Sequence, residues 1–413
     1  MALNTSPTTM SRICMYTPSA EGGMAQYAWE LLHALAAARP DHRFELVSGS
    51  DLEPQFKSAA YTVSAVLPPL RHRNEFRCRA TWVASRLAHY PRREWAFLRW
   101  LKRRPDIDAV HFQEWTPWLA APQIRRIQRM GKKVFFTVHN VVPHKYPLGV
   151  PKALMNRWIR NACLACDGLF VHTDPLAAQL SASLGEPHPP IQVVPHGVWT
   201  VRDNANGPTM RDRLSWKKLL FFGSIRRNKG LDVLLRAAEH LPGYQITIAG
   251  EPHEQQYYEE EILPLIAWLR TAGVSIDLRL SFTPDDQIPA LFAQHSAVML
   301  PYTRDFVAQS GVIFMALAHE MPVVASEAGG LRDLFNNYRI GEIFHDHTPE
   351  SLAAAVKSLH AAPDPAALLR EIRQARQRFS WKAAANATLA GYARAGEGRS
   401  AANDCAAQTT PAL

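Results

Sequence analysis

The stretch from Ala297 to Gly330, AVMLPYTRDFVAQSGVIFMALAHEMPVVASEAGG, constrains the fold more than any other. It reads as strand, loop, helix, strand, loop. The apolar run Ala297–Leu300 is closed by Pro301, which has no N–H for a ladder and marks the strand's end. Ser310 is a good N-cap for a helix over the apolar run Val312–Ala318. Pro322–Ser326 forms the next buried strand, with Gly329 and Gly330 following it. Two buried strands joined through a helix make a parallel βαβ unit, and ligands of such sheets bind at the carboxyl ends of the strands. A helix that begins there, at Gln309-Ser310-Gly311, turns free N–H groups toward an anion. The same residues also make sense as a buried βαβ unit with a serine cap.

That rhythm fills the chain. Strands are expected at Arg12–Tyr16, Phe44–Ser48, Tyr61–Val66, Ala109–Phe112, Val134–His139, Gly168–Thr173 and Ile191–Val198. The segment 200–217, broken by Asn204, Asn206, Gly207 and Pro208, has no sustained periodicity and reads as a linker. Strands resume at Lys218–Gly223, Gln245–Gly250 and Ser275–Leu280. With 413 residues, two hydrophobic cores of roughly 200 residues each are expected. The class is α/β: two Rossmann-like domains with an interdomain cleft.

Candidate site residues sit where these strands end. Gly22-Gly23 lies between the first strand and first helix, where glycine lets backbone approach a ligand, or simply makes a tight turn. His139 ends its strand on the ligand side and is followed by Asn140 and, further on, His144. Arg226 and Lys229 occupy the loop after the strand ending at Gly223; arginine clamps a phosphate bidentately and lysine acts as a point charge. Asp106 and Asp108 precede their strand, at the wrong end for a ligand, and Cys163-x-x-Cys166 reads as buried helix rather than a metal site.

The net charge of +9 is local. Between Arg71 and Arg104 eleven Lys/Arg face two Glu, an excess equal to that of the whole chain. Trp82, Trp95, Phe97 and Trp100 lie among them at helix-like intervals, around 82–87 and 95–101, which suits an anionic membrane surface or a solvated basic face. No nucleic-acid-binding motif is present, so nucleic acid is not expected as a partner. No apolar run approaches a membrane span, and MALNTSPTTMSR lacks a signal peptide's apolar core. The expected location is the cytoplasm, peripheral on the inner face of the cytoplasmic membrane.

In order and spacing, Gly22-Gly23, T-V-H-N at 137–140, V-P-H-G at 194–197, F-G-S-I-R-R-N-K-G at 222–230, Q-S-G-V at 309–312, P-V-V-A-S with G-G-L up to 331, and F-S-W at 379–381 resemble the retaining GT-B glycosyltransferases of family 4. The resemblance implies an acceptor-side domain over 1–199, a nucleotide-sugar domain over 218–379 and a final helix at 380–396 crossing back to the first domain; the tail at 397–413 has little to bury and is expected to be disordered. It implies a hexosyltransferase-like, metal-independent enzyme of surface polysaccharide biosynthesis. The donor is a nucleotide-diphosphate sugar, with no further cofactor, and the acceptor a glycan or lipid-linked molecule. Arg226 and Lys229 would grip the diphosphate and His139 would lie near the transferred sugar. Gly22 and Gly23 would face the diphosphate, Gln309, Ser310 and Gly311 would start the helix beneath the donor, and Gly329 and Gly330 would let backbone approach it. The sequence departs from the family pattern at Ser224, where arginine is usual, and at Val307 and Met315, where a glutamate pair is usual. Two other readings of these residues stay open: a non-hydrolysing sugar-nucleotide epimerase, and a non-catalytic docking protein that uses residues 71–104.

Overall fold

The computed structural model describes residues 10–20, 22–69, 75–141, 150–200, 208–284, 286–306 and 310–407. The chain divides into two compact units, Met1–Gly197 with Trp381–Leu413, and Val198–Ser380.

The first unit runs β1 (Arg12–Tyr16), α1 (Gly22–Ala38), β2 (Arg43–Gly49), β3 (Thr62–Leu67), α2 (Arg79–Lys102), β4 (Ala109–Phe112), α3 (Pro117–Arg129), β5 (Lys133–Thr137), α4 (Lys152–Ala165), β6 (Gly168–Val171), α5 (Asp174–Leu184) and β7 (Ile191–Val193). Its strands form one parallel sheet in the order β3-β2-β1-β4-β5-β6-β7. Every residue of β4 and β6 is buried, as parallel strands covered on both faces require. The order reverses between β1 and β4, so the loops after these strands splay to opposite sides and open a crevice.

The second unit continues with α6 (Met210–Ser215), β8 (Lys218–Phe222), α7 (Leu231–Ala237), β9 (Gln245–Ala249), α8 (Gln255–Tyr257), α9 (Leu263–Thr271), β10 (Ser275–Arg279), α10 (Ile288–Ala293), β11 (Ala297–Leu300), α11 (Gly311–Ala318), β12 (Val323–Ser326), α12 (Leu331–Asn337), β13 (Gly341–Phe344), α13 (Pro349–His360) and α14 (Pro365–Arg378). Its parallel sheet has the order β10-β9-β8-β11-β12-β13, reversing between β8 and β11. A π-helical turn at Tyr258–Ile262 precedes Pro264, which has no N–H for the regular ladder.

Three expectations change. The supposed linker 200–217 contains α6, closed at its start by reciprocal hydrogen bonds between Thr209 and Asp212. Met210 and Leu214 are buried in the second unit's core, and the buried Arg213 guanidinium donates to the carbonyls of Phe292 and His295 at 3.0 and 2.7 Å. Local polarity hid a six-residue helix whose order comes from these long-range contacts; residues 201–207 lie outside the described set. The tail expected to be disordered from 397 is helical to Ala407, within α15 (Trp381–Ala407), and 408–413 lie outside the described residues. In the basic segment, whose residues 71–74 lie outside the described residues, the two helix-like stretches around 82–87 and 95–101 belong to one helix, α2, and not two. Pro91 lies on its exposed side, where the carbonyl it leaves unpaired can face water.

Candidate functional site

In the second unit the loops after β8 and β11 meet at the reversal of strand order. Gly223 follows β8 and a Cβ placed on it would stand 3.5 Å from Val312, so α11 begins against that strand end. Ser224 and Ile225 lead to Arg226, which caps the single turn Arg227–Lys229. Arg227 turns outward to a bidentate pair with Glu261 and lies 4.8 Å over the Tyr257 ring. Arg226 and Lys229 have no carboxylate partner among the described residues, and Arg226 Nε is buried without a hydrogen bond. Lys229 Nζ rests on two ring faces, 3.8 Å from the Tyr302 centroid and 4.1 Å from that of Phe306. Burial, with Arg226 nearby, brings its pKa down to about 7.

Ser310 holds the N-cap position of α11 but makes no side-chain bond to the helix; its hydroxyl is 2.8 Å from that of Tyr302. The expected serine cap is therefore absent, because a buried phenol competes for the hydroxyl, and among the described residues no side chain caps the first amides of α11. Trp199 Nε1 donates to the Gly311 carbonyl at 3.1 Å and stacks the indole beside the helix start. Gly329, with φ 53°, and Gly330 close the loop after β12 and begin α12. Gln309 lies outside the described residues. This edge of the sheet offers fixed positive charge with free N–H groups, the means of holding a phosphate.

In the first unit, Gly22 takes φ 74° at the start of α1, a backbone setting that costs side chains strain, and Gly23 beside it is exposed. The loop between β1 and α1 is pinned from beneath: buried Arg93 donates to the Pro18 carbonyl at 2.9 Å, and Ser19 donates to Glu114 at 2.5 Å. One turn into α1, Tyr27 sets its ring 4.9 Å from His139, 5.4 Å from His172 and 5.3 Å from His196. His139 is thus brought to the helix that opens with the glycine pair, within a line of polar side chains along the strand ends.

The partners along this line decide the tautomers. His172 Nδ1 lies 3.1 Å from the Val194 carbonyl, which only accepts, so that nitrogen carries the proton. The 3.0 Å contact between His172 Nε2 and His139 Nδ1 is then donated by His139, and His139 Nε2 is left as an acceptor. The Gln113 side-chain amide stands 3.2 Å from His139 Nε2, with its other end 3.4 Å from His111 Nε2. Both are satisfied when the amide nitrogen faces His139, an orientation of the same shape as its reverse. His111 Nε2 also meets Thr137 Oγ1 at 2.7 Å, and its Nδ1 accepts from the Tyr392 hydroxyl at 2.6 Å. Burial holds His111 and His196 at about 3 and His172 at about 4, and keeps His139 well below the ordinary range with its histidine neighbours adding to the effect. The whole line is neutral.

Comparisons with known proteins bear on the fold and the family. Residues 21–202 match the model for Glycosyltransferase Family 4, and residues 216–362 match that for Glycosyl transferases group 1. The chain belongs to the GT-B glycosyltransferases of the family 4 type. This glycosyltransferase is 28% identical to a glycogen synthase of Mycobacterium tuberculosis over 93% of its own length and 94% of the relative's. It is 32% identical to a D-inositol 3-phosphate glycosyltransferase of Mycobacterium avium, over 42% of this chain and 41% of that one, so the match spans less than half of that relative. Among solved structures, sucrose-phosphate synthase of Thermosynechococcus elongatus shares the fold with TM-score 0.69 at 16% identity, covering 93% of this chain and 98% of that one. Anabaena HepE, solved in complex with UDP-glucose, does so with TM-score 0.62 at 15% identity, covering 92% and 98%.

Against the family pattern, the glycosyltransferase carries Arg226 two residues beyond Ser224, and Met315 is half-buried on α11; Val307 lies outside the described residues. Sequence reading missed Gln113, His172, His196, Tyr27 and Tyr302. Two of them left a signal, since Gln113 and His172 each directly follow a buried strand, whereas His196 lies three residues past β7, whose residues are half-buried. Tyr27 and Tyr302 act through packing, which periodicity does not report. Among the described residues, no helix is long and apolar enough to cross a membrane.

Proposed function

We propose that this glycosyltransferase moves a sugar from a nucleotide-diphosphate sugar to a glycan or lipid-linked acceptor, with retention of anomeric configuration, in surface polysaccharide assembly. The observation that carries this reading is the pairing of Arg226 and Lys229, without carboxylate partners among the described residues, with the uncapped start of α11. As the bond from the anomeric carbon to the diphosphate breaks, negative charge grows on the departing phosphate. Fixed donors aimed at that charge speed the step, and losing one typically slows a reaction by about 10²–10³. Attack from the face the diphosphate leaves, with a phosphate oxygen taking the acceptor's proton, gives retention. His139, kept neutral with its two ring nitrogens held by His172 and Gln113, gives the transferred sugar an uncharged neighbour and does not compete for the anion. The solved complexes of Anabaena HepE with UDP and UDP-glucose support a nucleotide sugar as donor.

The test is a calorimetric screen of UDP-, GDP- and dTDP-sugars, followed by NMR of the product with the donor that binds. A product of retained configuration is expected. An inverted product removes the retaining mechanism, and a donor epimerised without acceptor makes the protein an epimerase.

A second reading concerns α2. Val83, Leu87 and Trp95 are 41%, 57% and 61% exposed and repeat at multiples of four residues, so they line one side of the helix. Arg92, Arg99, Lys102 and Arg103 are exposed on the same helix and just past its end. We propose that this side rests on an anionic membrane. The rest of the segment is structural: Arg93 and Phe97 are buried, Trp100 packs on Phe97, and Arg104 pairs with Glu45. Each basic residue near such a surface contributes about 1 kcal/mol, less in salt. Protein carrying Arg92→Glu, Arg99→Glu, Lys102→Glu and Trp95→Ser should no longer sediment with phosphatidylglycerol vesicles that hold the wild type at low salt. Wild-type protein that ignores those vesicles removes this reading.

A further inference from the structure

Lys229 has an unusual seat. Its ammonium group stands on the faces of Tyr302 and Phe306, whose own rings pack with centroids 4.4 Å apart. Both rings are buried, Tyr302 to 1% and Phe306 to 3% exposure. The two loops that make the seat are tied together at several points. The Thr303 amide donates across to the Asn228 carbonyl at 3.1 Å, and within the second loop the Phe306 amide donates to the Thr303 carbonyl at 2.9 Å. Gly230, at φ 64°, passes so close to Pro301 that a Cβ there would lie 1.8 Å from the Pro301 oxygen. Tyr302 is held in turn by Ser326, whose hydroxyl donates to the Tyr302 carbonyl at 2.6 Å. Its phenol reaches Ser310 Oγ at 2.8 Å, at the first turn of α11.

We propose that Tyr302 and Phe306 are positioning residues of the diphosphate site, their ring faces holding the Lys229 side chain in register while the Tyr302 hydroxyl fixes the start of α11 through Ser310. The proposal rests on the donor reading given above. A lysine on a loop has four rotatable bonds to restrain, and aromatic faces restrain it without pairing it to an anion, as a carboxylate would. One tyrosine therefore orders both anion-binding groups, the lysine and the helix start.

The seat also sets when Lys229 is charged. Arg226 is the charged group that faces it from its own loop and Tyr302 the titratable one from the loop after β11, while Arg227 is turned away to Glu261. Burial on the seat leaves Lys229 with a pKa of about 7. Above that pH a nucleoside diphosphate must bring a proton with it to be gripped.

The experiment titrates UDP, GDP and dTDP into the full-length protein by calorimetry between pH 7.5 and 9. In wild type, log Kd for the nucleotide that binds should rise by about one per pH unit, and Lys229→Arg should flatten that slope. Phe306→Ser opens the seat to water, so it should weaken binding about tenfold at pH 7.5 and flatten the slope as well. Tyr302→Phe keeps the ring and loses the serine contact, so it should keep the slope and lose about threefold in affinity. A merely structural role would lower the melting temperature and leave the slope alone. If Lys229→Ala binds as wild type does, or if none of the three nucleotides binds, the diphosphate reading itself fails. If Lys229→Ala is harmful but Phe306→Ser and Tyr302→Phe keep both affinity and slope, the seat is overturned and the diphosphate reading stands.

Discussion

The two units share an architecture and differ in what they gather at the carboxyl ends of their strands. In the first, histidines from three successive strand ends, with Gln113, form a neutral line, each ring committed to named partners. In the second, two cations stand without carboxylates among the described residues, beside a helix start whose serine looks elsewhere. The same parallel sheet thus supplies hydrogen bonding without charge in one place and charge without neutralisation in the other. The difference teaches that the strand-end geometry only supplies positions. Chemistry depends on what surrounds each side chain: buried imidazoles lose their charge, and a buried lysine is left on the edge of losing it.

Acid breaks this contrast most strongly. An unfolded histidine titrates near 6.5, while the folded values of His111, His172 and His196 lie at about 3 to 4, so the unfolded chain binds more protons as pH falls. Stability is full above about pH 6.5 and declines below it, by about 2 kcal/mol for each of these rings at pH 5. Calorimetric melts from pH 8 to 5 should show a transition assigned to the first unit moving steeply down. His295 and His319 are also depressed by burial in the second unit, which should soften less. A first-unit transition that stays level to pH 5 would mean that these rings are not buried neutral.

Lys229→Met inverts the second half of the contrast. Transfer should drop by about 10²–10³ in kcat/KM. The same change should raise the melting temperature at pH 7, because a lysine whose pKa falls on folding lowers stability below its unfolded value near 10.5. That gain should be on the order of 2 kcal/mol after the ring contacts are lost. Activity within threefold of wild type in steady-state assays removes the assignment. Arg226→Ala should act in the same direction on rate with little effect on melting.

Smaller changes sharpen the comparison. A Cβ on Gly23 meets nothing within 4 Å and one on Gly311 meets only Trp199, at 4.0 Å. Gly23→Ala and Gly311→Ala should therefore fold as wild type, with melting temperatures within about 2 °C, while KM for the donor rises several-fold. A large loss of stability in either would show that the glycine serves packing. Smallest of all, Met315→Glu changes a half-buried position on α11, so thermal melts should move by about 1 kcal/mol or less. A collapsed fold would make Met315 core.

The alternation of apolar strand and helix, the glycine and proline punctuation and the order of short motifs were enough to read two parallel α/β units and the residues at their ligand edges. Those signals are local, because a buried parallel strand needs an apolar run wherever it lies and a turn needs its glycine. What the surroundings of those residues would be was not legible. Trp95 and Phe97 stand two positions apart in the same basic, aromatic run, yet one is 61% exposed and the other fully buried against Tyr16 and Phe112. Arg93 looked like a surface charge and holds the loop after β1 from beneath. Ser310 read as a cap, until a tyrosine eight residues earlier claimed its hydroxyl. The protonation of His139 rests on His172 and Gln113, which are far from it in the chain. Sequence alone determined which residues reach the strand ends; tertiary structure decided their charge, their partners and their freedom, because burial and hydrogen-bond geometry are set by segments that meet only when the chain has folded.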